Sequence, residues 1–335
     1  SSDELTIAVA KNVAKAVKFF ATKVESSIGT DPTAYQITND GTLSTTQQKN
    51  VKLFNVLFQL HTNVTNVMNA MMTSPPLMSL SAVTEALNDL KKLGDQILHP
   101  LFQKLSKYFE QTLLQMHKED FGGNDVAHTE GQACSGYLKQ LQQQIMLIQN
   151  IVISKLANGA WLSHHNQLLS SRIILFFVRH ASLVRPLGEA GKLKLANDMA
   201  QLEFSIAPLF PANQLGYPYK MLRALRPFIF RETSQISSLS PTKCPELQIL
   251  PPSVILHHLF SRGPPSLQSP HTSRNWTVQQ YSDWLDQHNE HEIWVLIKST
   301  LDAYAAQVNL RGEKEFCPIY PIILSLGPSL LNRNM

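Results

Sequence analysis

Glycine, cysteine and charge are all in short supply in this sequence. Fourteen glycines in 335 residues, with no long alternating run of β-branched residues, favour helix over sheet. The three cysteines, Cys134, Cys244 and Cys317, are odd in number, far apart and never in C-x-x-C spacing. That excludes a disulfide scaffold and a cysteine zinc site, and fits a reducing cytosol. Charged residues make up 16% and the net charge is +4, too mild to point by itself to nucleic acid or membrane. Long apolar runs are missing as well. The most apolar stretch, Ile173 to Val178, stops at Arg179, far short of the roughly 18–20 residues that span a bilayer. No signal peptide opens the chain, which starts Ser1-Ser2-Asp3 without methionine and enters helix directly. The expectation is a piece of a longer protein.

What is present is apolar periodicity at helical spacing. Hydrophobic residues make up 43%, enough for real cores. Leu5, Val9, Val13, Val17, Phe20, Val24 and Ile28 form one stripe and predict a helix over 3–28. Gly29 ends it, and a second stripe from Val51 to Met71 predicts a helix over 45–72. The longest helix is expected over 80–117, with Val83, Leu90, Ile97, Leu105 and Phe109 in register. Gly94 weakens that stripe, and Pro100 predicts a kink or break. The polar stretch from Lys118 to Gln132 reads as a boundary. The domains expected are a helical bundle at 1–120, a linker at 121–134 and a second bundle at 135–335. Helices are expected at 138–156, 163–184, 190–207, 219–231, 253–261, 277–288 and 291–310, with a last apolar segment at 318–332. A Ser/Pro-rich loop is expected over 232–251. The fold class is all-α, an elongated stack of helical bundles without a fixed repeat.

Catalytic motifs fail in context. Asp120-Phe121-Gly122 matches a kinase triplet, but no Gly-rich loop, strand lysine or H-R-D accompanies it. Gly188-Glu189-Ala190-Gly191-Lys192 lacks the phosphate-loop glycine spacing and the hydroxyl residue after lysine, and reads as a turn between helices. Asp283 and Asp286 have a magnesium-like spacing but no second acidic cluster, so a solvated helix face is expected. His164-His165 and His257-His258 are adjacent pairs that point to different helix faces. His288 and His291 lack H-E-x-x-H, and His61 on an apolar stripe reads as a core histidine. Two N-x-T sequons, at Asn63 and Asn275, read as chance matches. No catalytic residue, cofactor or metal is expected.

One asymmetry stands out. Between Ile151 and Arg231 ten basic residues face three acidic ones, a net +7 that exceeds the +4 of the whole chain. Such a segment suits an acidic partner or an anionic membrane surface. Aromatics do not interleave with the bases as a nucleic-acid platform requires, so nucleic acid is not expected. Arg223, Arg226 and Arg231, at roughly helical spacing and mixed with Phe228 and Phe230, are the candidate partner-binding residues. The plainer alternative is that the phenylalanines are core and the arginines solvated.

Several blocks resemble a known family: Phe176–Leu209, Tyr219–Phe230 (YKMLRALRPFIF), Leu250–His271, Trp276–His288 (WTVQQYSDWLDQH) and Gly312–Leu326. Weaker similarity runs through Ala16–Glu25, Gln47–Val64 and Met116–Phe121. Together they resemble the C-terminal half of the subunit 5 family of the conserved oligomeric Golgi complex. The resemblance implies a helical-rod fragment of a multisubunit vesicle-tethering complex, peripheral on the cytosolic face of the Golgi membrane. It also implies no enzymatic activity, no cofactor, pairing with subunit 7, contact with other subunits and vesicle-trafficking proteins, and a role in intra-Golgi retrograde transport. The family's N-terminal coiled-coil portion has no counterpart here. Two other readings compete: an all-α enzyme, which predicts a deep polar pocket with perturbed carboxylates or histidines, and a membrane-surface helical module.

Overall fold

A computed structural model of the chain describes residues 2–38, 40–71, 77–125, 134–238 and 244–334. Among these residues the chain is all-α, with no strand. The helices are α1 (Ser2–Glu25), α2 (Thr45–Met71), α3 (Leu77–Leu113), α4 (Gly136–Ile151), α5 (Ala160–Leu183), α6 (Glu189–Ile206) and α7 (Tyr217–Phe230). Two short helices follow, α8 (Thr233–Ser238) and α9 (Pro245–Ile249), then α10 (Pro252–Phe260) and α11 (Pro270–Ser273). The chain ends with α12 (Val278–Leu285), α13 (Glu290–Leu310) and α14 (Ile319–Leu331).

The helices gather into two compact units. The first contains Ser1–Tyr108, Gln143–Leu169 and Pro208–Phe210; the second contains Phe109–Gln142, Ser170–Ala207 and Pro211–Met335. In the first unit, α1 buries Ala10, Ala14, Val17, Ala21 and Val24. That seam is rotated from the expected stripe, because alanines let neighbouring backbones approach closely while Leu5 and Val9 stay exposed. Phe54 and Leu57 of α2 and Leu90 of α3 are fully buried. Asn50 of α2 pairs with both backbone groups of Gly29, donating to its carbonyl and accepting from its N–H, each at 2.9 Å. This amide satisfies the backbone where α1 ends.

Of the kink or break expected at Pro100, the break is absent: α3 runs continuously through it, because burial of Leu98, Leu101 and Phe102 around the proline outweighs the lost hydrogen bond. Gly94 is no weak point either. The Trp161 ring lies where a Cβ would be, 2.8 Å away, and Trp161 meets Phe58 edge-on at 5.3 Å. The glycine makes room for the tryptophan.

In the second unit, α5 buries Ile173, Ile174, Phe177, Val178 and Ala181. α10 packs on α13 and α14, and α7 packs on α6 and α9. The loop expected over 232–251 is replaced, in its described parts, by α8 and α9. Ile236, Cys244, Leu247 and Leu250 are buried there, and such short helices carry too few turns to show a period. Residues 239–243 of that loop, and 126–133 of the expected boundary, lie outside the described residues.

Candidate functional site

The cationic segment culminates in α7. Its inner face is set by Met221, Leu222, Leu225, Phe228 and Ile229, at i, i+1, i+4, i+7 and i+8, and all five are buried. The same spacing turns Arg223, Arg226 and Phe230 outward. Phe228 is fully buried, whereas Phe230 is 38% exposed. Arg223 Nη1 stands 3.7 Å from Glu203 Oε1 on α6. Arg231 turns back to Glu246, with Nη2 2.9 Å from both carboxylate oxygens. That bond raises the guanidinium pKa and helps hold the Glu246 carboxyl below its usual range against burial. Arg262 of the loop after α10 supplies the C-terminal cap, donating to the carbonyls of Arg231 (2.6 Å) and Phe228 (3.3 Å). Of the five candidate residues, α7 therefore presents Arg223, Arg226 and Phe230 together, and directs Phe228 and Arg231 into the fold.

The histidines behave differently from their sequence spacing. His165 of α5 is buried and sits 3.2 Å from Asp95, while its neighbour His164 is exposed. His61 packs edge-on against Trp161 at 5.0 Å. His257 and His258 are both buried but part ways: His257 meets the Tyr281 hydroxyl at 2.7 Å, and His258 Nε2 accepts from Arg262 Nε at 3.1 Å. A cluster the sequence does not reveal forms in the second unit. His117 Nε2 lies 2.8 Å from His180 Nδ1, and His180 Nε2 lies 3.1 Å from Ser282 Oγ. The His271 ring stacks on Tyr281. Burial drives these imidazoles down, His117 to about 4 and His257 to about 3, with His180 well below its ordinary value.

A serine beside an imidazole invites comparison with a nucleophile and its base. Here Ser282 is 1% exposed and His180 is fully buried, so no substrate carbonyl reaches the hydroxyl. His180 also spends both ring nitrogens on internal partners, Nδ1 on His117 and Nε2 on Ser282. The arrangement knits α5 and α12 together; it does not present chemistry.

The other motifs resolve into scaffolding. Asp286 is held by Arg172 (2.7 Å) and Arg179 (2.8 Å), and those guanidiniums help keep its carboxyl below the usual range despite burial. Its charge is neutralised internally rather than offered to magnesium. Gly188-Glu189-Ala190-Gly191-Lys192 opens α6, and the loop from Asp120 to Asn124 lies against it. The Gly188 N–H donates to Phe121 O at 2.8 Å and the Ala190 N–H to Gly123 O at 3.0 Å. A Cβ on Gly191 would lie 1.8 Å from Phe121 O, so glycine is required for backbone contact rather than for a phosphate. Asp198, fully buried on α6, accepts from Ser135 N (2.9 Å), Ser135 Oγ (2.6 Å) and Tyr137 Oη (2.7 Å). Burial still raises its carboxyl pKa. One groove of the first unit lies among Leu5, Val9, Val13, Val64, Val67 and Val83 and has no ionisable lining group, and a larger, open one is lined by Glu25, Tyr35, Lys92, Asp95 and His99. Among the described residues, no group of three or more His, Cys, Asp or Glu is placed to hold a metal ion, and no helix is long and apolar enough to cross a membrane.

These features define an all-α chain in which many polar groups secure its own helices and α7 turns Arg223, Arg226 and Phe230 to solvent. Comparison with known proteins supplies the particular kinship. The chain is 38% identical over 342 residues to conserved oligomeric Golgi complex subunit 5 of Arabidopsis thaliana, covering 99% of this chain and 40% of that protein. It is 36% identical over 325 residues to the mouse subunit 5, covering 96% and 38%. The Drosophila melanogaster subunit 5 is 26% identical over 338 residues. The chain is thus a homologue of the C-terminal part of subunit 5, and it spans about 40% of the length of the first of these relatives. No family model matches the chain. No solved structure matches it either.

Proposed function

We propose that the chain is a non-enzymatic piece of a Golgi vesicle-tethering complex, peripheral on the cytosolic face of the membrane. In this reading it binds subunit 7 and contributes to intra-Golgi retrograde transport. The observation that carries it is the alignment of 99% of the chain with a protein named as subunit 5 of that complex. Two structural features support a binding role over catalysis. The one serine–imidazole pair discussed above is sealed in the core, and α7 turns two arginines and a phenylalanine to solvent. Helix-on-helix docking suits such a surface, since i, i+3 and i+4 anchors read a partner helix.

The test is co-purification of the chain with subunit 7 and the other subunits of the complex. Stoichiometric recovery with subunit 7 is the expected result. Recovery of the other subunits without subunit 7 removes that pairing, and recovery of none removes the complex assignment.

A further inference from the structure

A second helix face lies next to the exposed side of α7. On α6, Leu193, Asn197, Ala200, Phe204 and Ala207 follow one another at steps of four, three, four and three. That is the heptad seam by which one helix receives another. Phe204 is 72% exposed and Leu193 39%, and no residue of the seam is charged. The flanks of α6 are already engaged: Glu203 faces Arg223 of α7, and Gln201 faces Gln142 of α4. Leu193 and Phe204 therefore point outward, between those two flanks. Beside it, the outer side of α7 repeats the spacing with Tyr219, Arg223, Arg226 and Phe230. Lys220 and Arg226 are exposed, and neither has a carboxylate partner among the described residues.

We infer that the outer faces of α6 and α7 together receive one amphipathic helix of another subunit, its apolar seam on Phe204 and Leu193 and its acidic flank on Lys220 and Arg226. This rests on the proposed role in a multisubunit complex and specifies the partner's chemistry. The acidic flank follows from charge complementarity. Glu203 answers Arg223 and Glu246 answers Arg231, which leaves the charges of Lys220 and Arg226 to be met by carboxylates from elsewhere. The apolar half follows from the exposed aromatic. A phenylalanine left largely in water on an uncharged seam gains its burial only from a partner.

The experiment uses the full-length subunit assembled with the other subunits, with p-benzoylphenylalanine replacing Phe204 as a photo-crosslinker. The expected product joins position 204 to a segment of another subunit that has apolar residues at heptad spacing and acidic residues along one edge. In parallel, the double variant Lys220→Glu and Arg226→Glu is expected to weaken capture of that subunit about tenfold. Both positions are exposed, so its melting temperature should match the parent.

Crosslinks confined to the chain itself, crosslinks to a segment without acidic residues, or undiminished capture by the charge-reversed variant would each overturn the inference. None of these would touch the complex assignment, whereas a parent protein that captures no subunit removes both. Crosslinks to lipid in vesicles containing phosphatidylserine, with none to protein, would give the surface to a membrane and overturn the helix partner.

Discussion

Single residues in this protein do their work through close approach and through burial of satisfied polar atoms. Gly94 is the clearest case. From the sequence it is a flaw in an apolar stripe; in the fold it is the floor on which the Trp161 ring lies, with 2.8 Å to a hypothetical Cβ. Gly94→Ala forces the ring or the helix to move, and overpacking of this kind costs about 1–3 kcal/mol. Urea unfolding should show the lowered midpoint, and Trp161 fluorescence should report the altered surroundings. Asp198 is the polar counterpart. It accepts three hydrogen bonds at the start of α4 while fully buried. Asp198→Ala strands those donors and should cost about 2–4 kcal/mol, read as a fall in the unfolding midpoint. Neither role was legible beforehand, because Trp161 and Gly94 are distant in sequence and no pattern marks Ser135 as the partner of Asp198.

At the scale of elements, helix ends and inter-helix ion pairs set the register. Thr277 was recognisable as a helix start, and the structure completes a capping box in which Thr277 and Gln280 satisfy each other's backbone N–H groups. Thr277→Ala should cost about 1 kcal/mol, whereas Thr277→Ser should be nearly neutral, a difference that thermal denaturation can resolve. The fork of Arg172 has no sequence signature. Its Nε donates to Glu110 at 2.6 Å and its other nitrogens to Asp286, tying α3, α5 and α12 together within the second unit. Glu110 is 5% exposed, and removing the guanidinium takes away the 2.6 Å contact that Arg172 makes with this buried carboxylate. Arg172→Ala is therefore expected to destabilise by about 3–5 kcal/mol, more than Arg172→Lys, which keeps the charge but loses the bidentate fork. The apolar face of α3 was readable from spacing because it runs for many turns. α8 and α9 were not, since five or six residues give a period no room to appear.

At the scale of the molecule, histidines scattered along the sequence converge in the second unit. His117, His180, His257, His258 and His271 are each held below the ordinary imidazole value, chiefly by burial. The folded state therefore keeps them neutral while the unfolded chain takes up protons below its pKa of about 6.5. Their contribution to stability is intact above that pH. It falls as pH drops from about 6.5 towards the folded values, by up to about 1.4 kcal/mol per unit for each ring. Denaturant midpoints should thus decline between pH 7 and pH 5, before the paired carboxylates of Asp286 and Glu246 begin to protonate. Replacing His257, whose folded value is about 3, by Gln should flatten the decline even if the variant is less stable at pH 7.

The sequence by itself determined the helical class, most helix positions, the lack of a bilayer-spanning run and the kinship with subunit 5. Each of these is carried by local spacing or by long blocks of identity, which do not depend on how helices meet. Tertiary structure alone decided that Phe228 and Arg231 turn inward while Arg223, Arg226 and Phe230 remain outside, that the phosphate-loop look-alike is a backbone contact, and that Phe204 shares the surface of α7. Those outcomes depend on which neighbour takes each side of a helix, and that choice belongs to packing between distant segments.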